Sequence, residues 1–297
     1  MSDLGFVGLG AIGGAIAQRL LIQKHSLRVY DINADALSRL VELGASNGQG
    51  CMEISAGCEI VFLSLPSPEV VEHVVLGQSG LLSQSKKLRY IVDLSTNPPQ
   101  LSRKISAAAE QVGVNYLDAP VSGGRAGAKK GALSVMIGGS ASAFEAIKPI
   151  VLGLGENIFH VGPSGSGSLA KLVNNQIFLS TSVVVQEAFM MGLKAGMQPQ
   201  ALLNVIKTSS AASMVKLAPL FLSSDVDRNI FSLEIAEKDL NLAISASEET
   251  GVSMPVTNAA HAVYKKSLNT ETSKLDFCVT LRDLADSCDA VFPKFKA

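Results

Sequence analysis

Several kinds of site are missing from this sequence, because the residues that build them are scarce or poorly spaced. The 297 residues include only four cysteines and four histidines. No cysteine pair has C-x-x-C spacing and no histidine pair has H-x-x-x-H spacing. We therefore predict neither a redox pair nor a metal site, and we interpret the cysteines as structural thiols in a reducing compartment.

Charge is scarce as well. Charged residues make up 17% of the chain, the formal net charge is −1, and no basic stripe interrupts the sequence. This balance argues against a nucleic-acid partner and against an anionic membrane surface. The hydrophobic share of 47% excludes a disordered chain and is enough for a sizeable core.

Long apolar runs are absent too. No stretch of about 18 consecutive apolar residues occurs, so we predict no membrane span. The first apolar run begins at Leu4, with no basic segment or cleavage site before it. We therefore expect no targeting segment and a cytoplasmic location.

The first 160 residues alternate between strand-like runs and helical stretches. The helical stretches include 11–24, 33–44 and 98–112. The strand candidates are LGFVG, LRVYD, IVFLSLP, YIVDLST, NYLDAPV, SVMIGG and NIFHVG. This alternation predicts βαβ units in a mostly parallel sheet, an α/β fold, with an antiparallel or mixed edge from residue 115 on.

The pattern changes after Gly162. The breaker-rich segment GPSGSGS comes first, and no proline follows until Pro199. About 30 residues in one helix span about 45 Å, which is too long for a single crossover. We therefore predict a helix at about 165–195 that joins two domains, 1–163 and 164–297. The remaining helical segments lie near 198–207, 211–222, 232–249, 255–268 and 276–289.

A glycine motif lies between the first strand and the first helix. The stretch GFVGLGAIGG contains G-x-G-x-x-G at Gly8, Gly10 and Gly13. The first glycine permits a tight turn, the second lets the backbone approach a pyrophosphate, and the third lets the helix pack closely. The helix N-terminus adds N–H groups and a positive dipole end. The motif predicts dinucleotide binding by Gly8, Leu9, Gly10, Ala11, Ile12 and Gly13.

Asp31 ends the second strand candidate. A carboxylate there accepts hydrogen bonds from a ribose diol and repels a 2′-phosphate, so Asp31 favours NAD over NADP. The alternative is a solvated aspartate that opens the turn DINAD.

With these segments in view, the chain resembles the β-hydroxyacid dehydrogenases, the group of 3-hydroxyisobutyrate dehydrogenase and tartronate semialdehyde reductase. The matching stretches are GFVGLGAIG, DLSTNPP, DAPVSGGRAGAKKGALSVMIGG, GSGSLAKLVNN and FSLEIAEKDLNLA. The resemblance covers nearly the whole chain. It implies a Rossmann-like doubly wound domain, a long interdomain helix, an all-helical C-terminal domain, and a homodimer or homotetramer.

The resemblance also implies roles for individual residues. Leu65 and Pro66 pass under the adenosine side of NAD, and Thr96 lies by the nicotinamide ribose and the substrate. Lys238 reaches the cofactor from the helical domain. The turn formed by Ser122, Gly123 and Gly124 holds the substrate carboxylate, as a concave set of N–H donors can. Phe231 and Asp239 line the substrate side, although Phe231 also fits a core position and Asp239 a partner of Lys238.

Lys171 is the implied catalytic acid/base, with Asn175 holding the substrate or the lysine. An ordinary lysine has a pKa near 10.4 and is a poor base at pH 7. Partial burial and neighbouring positive charge lower a lysine pKa towards neutrality. The neighbours in SLAKLVNNQIFL are mostly apolar, which agrees with burial. Asn175 lies four residues later, on the same helix face.

Four functions remain open from the sequence. The first is an NAD-dependent dehydrogenase of a small 3-hydroxy acid, and the second is a semialdehyde reductase such as tartronate-semialdehyde reductase. Imine reductases of this group generally lack the lysine, and non-catalytic dinucleotide-binding modules have lost it, so Lys171 argues against both. Arg125 follows the glycine turn and either contacts a second anionic group of the substrate or belongs to a solvated basic loop.

Overall fold

The computed structural model describes residues 3–83, 87–228 and 230–290. They form two compact units that divide between Lys171 and Leu172. This division lies inside the long helix α8, Ser166–Lys194. The separate boundary expected between residues 163 and 164 stays a prediction.

The first unit contains a mixed sheet. Within the described residues its strands follow the order β3-β2-β1-β4-β5-β6-β8-β7, and β9 pairs with β8. The strands are β1 Asp3–Val7, β2 Ser26–Tyr30, β3 Ser46–Asn47, β4 Ile60–Leu63, β5 Tyr90–Asp93, β6 Asn115–Asp118, β7 Val121–Ser122, β8 Ser134–Gly138 and β9 Asn157–Gly162. The pairs from β3 to β6 are parallel, whereas β8 runs antiparallel to β6 and β7. The predicted Rossmann-like sheet with a mixed edge is confirmed.

Both faces of this sheet are buried. In β4, Phe62 belongs to one hydrophobic cluster and its neighbours Val61 and Leu63 belong to another. Successive side chains of a strand point to opposite faces, so both clusters need a covering layer. The apolar runs that the sequence shows in its central strands are therefore typical of a sheet with helices on both sides.

The covering helices begin at local signals. For α2, the side chain of Asn33 accepts hydrogen bonds from the N–H groups of Asp35 and Ala36, and for α7 Ser140 accepts from Ala143 N. Such caps satisfy N–H groups that lack a partner inside the helix. The helices of this unit are α1 Gly13–Ile22, α2 Ala34–Glu42, α3 Cys51–Gly57, α4 Pro68–Leu76, α5 Pro99–Gln111, α6 Gly124–Lys130 and α7 Ala141–Val151.

The second unit is helical. The C-terminal part of α8 is followed by α9 Pro199–Lys207, a 3₁₀ turn Met214–Leu217, α10 Ala218–Phe221, α11 Leu233–Thr250, α12 Pro255–Ser267 and α13 Val279–Ser287. Its core contains the rings of Phe178, Phe221 and Phe277, with centroids 5.2 to 6.4 Å apart. The single helix expected near 211–222 is wrong, because Pro219 cannot donate the N–H bond that would continue a helix through it.

Helix α8 is, among the described residues, long and apolar enough by composition to cross a membrane. Its C-terminal part is a core element of the helical unit, where Leu179 and Phe189 are buried. The buried Gln186 donates a side-chain hydrogen bond to Phe221 O and accepts one from Thr280. Core packing thus accounts for the apolar side chains on the buried face of this helix, whereas several of its other apolar side chains are exposed.

Candidate functional site

The glycine loop is shaped by the backbone around it. Gly8 has a φ of +93°, and a Cβ there would lie 2.3 Å from the carbonyl oxygen of Ser64. A Cβ at Gly13 would lie 2.1 Å from the carbonyl oxygen of Gly8. A Cβ at Gly10, in contrast, would meet no protein atom within 4 Å. Gly8 and Gly13 are therefore needed for the turn itself, whereas the open face at Gly10 fits close approach by a pyrophosphate.

Asp31 is held beside this loop. Its Oδ2 accepts a 2.5 Å hydrogen bond from Leu9 N, and its Oδ1 accepts a 2.7 Å bond from Asn33 N. The carboxylate is thus fixed at the end of β2, next to the loop that is predicted to hold the dinucleotide. This geometry fits a ribose diol, and its role in binding stays a prediction.

The ends of β4 and β5 meet next to the loop. Leu65 N donates a 2.9 Å hydrogen bond to Ser95 Oγ, so the segment of Leu65 and Pro66 lies against the segment that carries Thr96. Parallel strands present their carboxyl ends at one edge of a sheet, where ligands of doubly wound folds bind. The predicted cofactor residues of the first unit therefore share that edge.

The turn at Ser122 requires glycine. Gly123 has a φ of +125° and Gly124 a φ of +62°, both of which residues with a Cβ rarely adopt. Ser122 pairs with Ser134 at the end of the sheet, and α6 begins at Gly124. The turn is therefore a built feature, and Arg125 follows it as an exposed residue.

Lys171 lies near the start of α8 and is only 9% exposed. The start of the helix is fixed by Asp118, at the end of β6. Asp118 Oδ1 accepts from Gly165 N and Oδ2 from Ser168 N, both at 2.8 Å. Burial raises the pKa of the Asp118 carboxyl, while the two backbone hydrogen bonds partly oppose that rise.

A second buried carboxylate ends the neighbouring strand β5. Asp93 Oδ1 accepts from Ser95 N at 2.9 Å, and its Oδ2 accepts from the Asn97 amide and the Tyr116 hydroxyl, each at 2.8 Å. Complete burial raises the pKa of Asp93 to about 6 against these hydrogen bonds, and the charge of Asp118 adds to the rise. Burial also raises the pKa of Tyr116.

In the helical unit, Asn175 and Asp239 form a buried pair. Asn175 Nδ2 donates a 2.6 Å hydrogen bond to Asp239 Oδ2, and Asn175 Oδ1 accepts a 3.0 Å bond from Asn174. Lys238 Nζ lies 3.1 Å from Asp239 Oδ1. Asp239 is 1% exposed, so it is a buried partner of both residues and not a surface partner of Lys238 alone.

Phe231 packs at the border of the helical core. Its ring centroid lies 6.2 Å from that of Phe277 at an angle of 70°, and its carbonyl accepts a hydrogen bond from Phe277 N. The structure thus gives Phe231 a packing role, and its contact with substrate stays a prediction.

Sequence reasoning missed the two buried carboxylates and their partners. The runs YIVD and NYLD were available as a signal, because each ends a buried strand with an acid. A buried carboxylate requires several donors. The identity of those donors, among them Tyr116 and Ser168, depends on contacts between distant segments and cannot be inferred from spacing.

Two family models match the chain. Residues 3–162 match the NAD binding domain of 6-phosphogluconate dehydrogenase. Residues 165–284 match the model described as NAD-binding of NADP-dependent 3-hydroxyisobutyrate dehydrogenase. Together with the glycine loop, these matches identify the cofactor as a nicotinamide dinucleotide.

Individual relatives agree with these models. The chain is 34% identical over 264 residues to 2-(hydroxymethyl)glutarate dehydrogenase of Eubacterium barkeri, covering 88% of each chain. It is 34% identical over 287 residues to 3-hydroxyisobutyrate dehydrogenase of Pseudomonas aeruginosa, covering 93% of this chain and 96% of the relative. The solved Mycobacterium tuberculosis 3-hydroxyisobutyrate dehydrogenase with L-serine has a TM-score of 0.84 at 28% identity, covering 96% and 99%. The chain belongs to the β-hydroxyacid dehydrogenase family of nicotinamide-dependent oxidoreductases.

Proposed function

We propose that this chain is an NAD-dependent dehydrogenase that interconverts a small 3-hydroxy acid and its semialdehyde. One observation carries the proposal. Lys171 is almost fully buried and lies one turn beyond the start of α8. Asp118 fixes that helix start, and the segment 118–124, to which Asp118 belongs, also forms the glycine turn. Lysines this deeply buried are rare in proteins, and the proposal gives Lys171 the task of proton transfer.

The cofactor is held by residues of the first unit. Backbone N–H groups around Gly10 and the N-terminus of α1 receive the pyrophosphate, and the carboxylate of Asp31 receives the ribose diol. A 2′-phosphate would bring negative charge against Asp31, so NAD is preferred. When bound, NAD accepts the hydride of the alcohol carbon.

Lys171 is the general acid and base of the proposed reaction. In the oxidation direction its Nζ accepts the hydroxyl proton of the substrate, and in the reduction direction it returns a proton to the aldehyde oxygen. In its protonated form the ammonium stabilises a developing alkoxide. The N–H groups and hydroxyl of the turn at Ser122 hold the substrate carboxylate, while Asp239 orients the amide of Asn175 one turn beyond Lys171.

The test is a panel of substrates with both cofactors. The protein is mixed with NAD or NADP and with each of several 3-hydroxy acids, and the absorbance of the reduced nicotinamide is followed. The proposal expects turnover of at least one 3-hydroxy acid, faster with NAD. Cofactor binding without turnover of any substrate, in either direction, would favour a non-catalytic binding module.

The semialdehyde reductase stays as the second candidate, because Lys171 serves both directions. Rates measured with a semialdehyde and reduced cofactor, against those with the alcohol and NAD, decide between the two. The reductase is favoured when the aldehyde direction dominates at matched concentrations.

The position of Arg125 supports a narrower substrate class. One relative is named for a glutarate derivative, which has two carboxylates, and Arg125 directly follows the turn proposed to hold one of them. We propose that Arg125 contacts the second carboxylate through its guanidinium fork. The variant Arg125→Ala should then raise the KM of a dicarboxylic hydroxy acid and not that of a monocarboxylic one. Equal effects on both would indicate a solvated loop.

We also propose a homodimer or homotetramer. The helical unit has a cavity of about 280 Å³ that is lined mostly by apolar side chains. Val184, Met214 and Val256 at its rim are 50 to 64% exposed. Large exposed apolar patches mark association surfaces. Light scattering should show that the wild type is an oligomer and that Met214→Glu is a smaller species. A monomeric wild type would contradict the proposal.

A further inference from the structure

We propose that Asp118 is a positioning residue, which sets the place of Lys171 for proton transfer. The inference rests on the proposed function, because it assumes that the proton passes through Lys171. Both carboxylate oxygens of Asp118 already accept backbone hydrogen bonds, so the proposed role is indirect. Asp118 acts through the backbone at the start of α8.

The carboxylate of Asp118 clamps the start of α8. Both carboxylate oxygens of Asp118 are used, one by Gly165 N and one by Ser168 N, at 2.8 Å each. The first N–H groups of a helix have no partner inside it, and an anion there also meets the positive end of the helix dipole. Lys171 lies three residues after Ser168, so less than one turn of helix separates the lysine from the clamp.

The helix start also lies in close contact with the strands. A Cβ at Gly167 would lie 2.3 Å from Met136 O and 2.4 Å from Asp118 O. A Cβ at Gly138 would lie 2.7 and 2.8 Å from the carboxylate oxygens of Asp118. Glycine at 167 lets the helix backbone meet the strand backbone, and glycine at 138 leaves room for the carboxylate of Asp118. The helix start therefore has little room to shift relative to β6 and β8.

Side-chain hydrogen bonds also tie the helix start to a neighbouring helix. The hydroxyls of Ser102 on α5 and Ser168 are 2.8 Å apart, and both residues are fully buried. Ser164 Oγ donates a 3.2 Å hydrogen bond to Ser102 O. These bonds hold the same turn from a second direction, while Asp118 remains the partner that satisfies its backbone N–H groups.

The short segment 118–124 therefore positions both the lysine and the turn proposed to bind the substrate. Asp118 fixes the helix that carries Lys171, and four residues later Ser122 begins the turn proposed to hold the substrate carboxylate. The separation of lysine and carboxylate is thus set by the short segment that leads from the end of β6 to β7. A misplacement of about 1 Å in such a geometry costs about 100-fold in rate.

The experiment compares Asp118→Ala and Asp118→Asn with a matched control. Ser140→Ala removes an N-cap from α7, which carries no site residue, and should leave kcat unchanged. Asp118→Ala should lower kcat about 100-fold at a temperature where the variant is fully folded, while the affinity for NAD, measured by fluorescence titration, stays within about twofold. Asp118→Asn keeps one acceptor oxygen and should recover about tenfold of that loss.

A purely structural role predicts a different result. It would lower the unfolding temperature of Asp118→Ala and leave the kcat of the folded enzyme at the wild-type value, and this outcome would overturn the proposal. If Asp118→Ala fails to fold, Gly138→Ala serves instead, because its methyl group presses on the carboxylate and on Gly167 N at the helix start without removing the carboxylate. An unchanged kcat in the folded variant is then the contrary result.

The failure of this inference is distinguishable from that of the proposed function. Lys171→Ala is measured in parallel. If Lys171→Ala loses kcat and Asp118→Ala keeps the wild-type kcat, the positioning role of Asp118 is overturned and the role of Lys171 stands. Wild-type kcat in Lys171→Ala overturns the assignment of the proton to Lys171, and the positioning role with it.

Discussion

The side-chain amide of Asn175 donates a 2.6 Å hydrogen bond to the carboxylate of Asp239, and both side chains are buried. This bond fixes which end of the amide is the donor. The oxygen of Asn175 is then left to accept, and Asn174 donates to it. Asn175 is therefore a pre-oriented group, one turn beyond the lysine on the same helix.

The variant Asp239→Ala tests how much this pair stabilises the fold. It removes the acceptor of a buried amide and the partner of Lys238, so the free energy of unfolding should fall by roughly 1–3 kcal/mol. Urea unfolding measures it. Asp286→Ala, an exposed acid on α13, is the control and should stay within about 0.5 kcal/mol of wild type. Equal effects of the two variants would show that the pair contributes nothing to stability.

The buried Asp93 predicts a pH dependence of stability. Its pKa is about 6 in the folded protein, against an ordinary 3.8. Between these values Asp93 binds more protons in the folded state than in the unfolded state. Its contribution to the free energy of unfolding therefore falls as the pH rises from about 4 to about 6 and is level above. The pKa is raised by burial and, to a smaller extent, by the charge of Asp118, while the hydrogen bonds from Ser95 and Tyr116 oppose the rise.

The comparison with Asp93→Asn isolates this effect, since Asp118 titrates in both proteins. The unfolding free energy of wild type minus that of the variant should decrease by on the order of 3 kcal/mol from pH 4 to pH 7. Denaturant unfolding at several pH values measures the difference. A difference that stays constant, or that grows with pH, would contradict the burial of an ionisable Asp93.

Asp31 predicts the choice of cofactor. Asp31→Ala removes the carboxylate that repels a 2′-phosphate and also frees Leu9 N. The preference for NAD over NADP should therefore narrow, by weaker binding of NAD and stronger binding of NADP. Titration with both cofactors gives the ratio of dissociation constants. Asp35→Ala, on the following helix, is the control; an unchanged ratio in Asp31→Ala would sink the interpretation of Asp31 as the ribose ligand.

The order of the main strands and helices could be predicted from the sequence because each element is marked locally. Local sequence marks each of these elements. The marks are the glycine loop, the alternation of strands and helices, and the absence of proline in the helix after Gly162. The two-residue strand β3 was missed, because Ser46 and Asn47 have no apolar pattern of their own. The sequence pattern near 211–222 predicted one helix, but Pro219 interrupts it.

In the candidate site, too, features set by local sequence could be predicted and features set by long-range contacts could not. Gly8 and Gly13 could be predicted, since their roles follow from a backbone turn, whereas the approach of a pyrophosphate to Gly10 stays a prediction. The partners of Asp93 and Asp118 could not, because Tyr116, Ser168 and Gly165 approach them only in the folded chain. Long-range polar contacts of this kind have no periodic trace in a sequence.

The central claim is that Lys171 transfers the proton in an NAD-dependent oxidation of a 3-hydroxy acid, and the kinetics of Lys171→Ala test it most directly. The wild type should turn over at least one acid of the panel with NAD. Lys171→Ala should bind NAD with unchanged affinity and lose at least about 100-fold in kcat with that acid. A folded Lys171→Ala variant with the wild-type kcat would contradict the account.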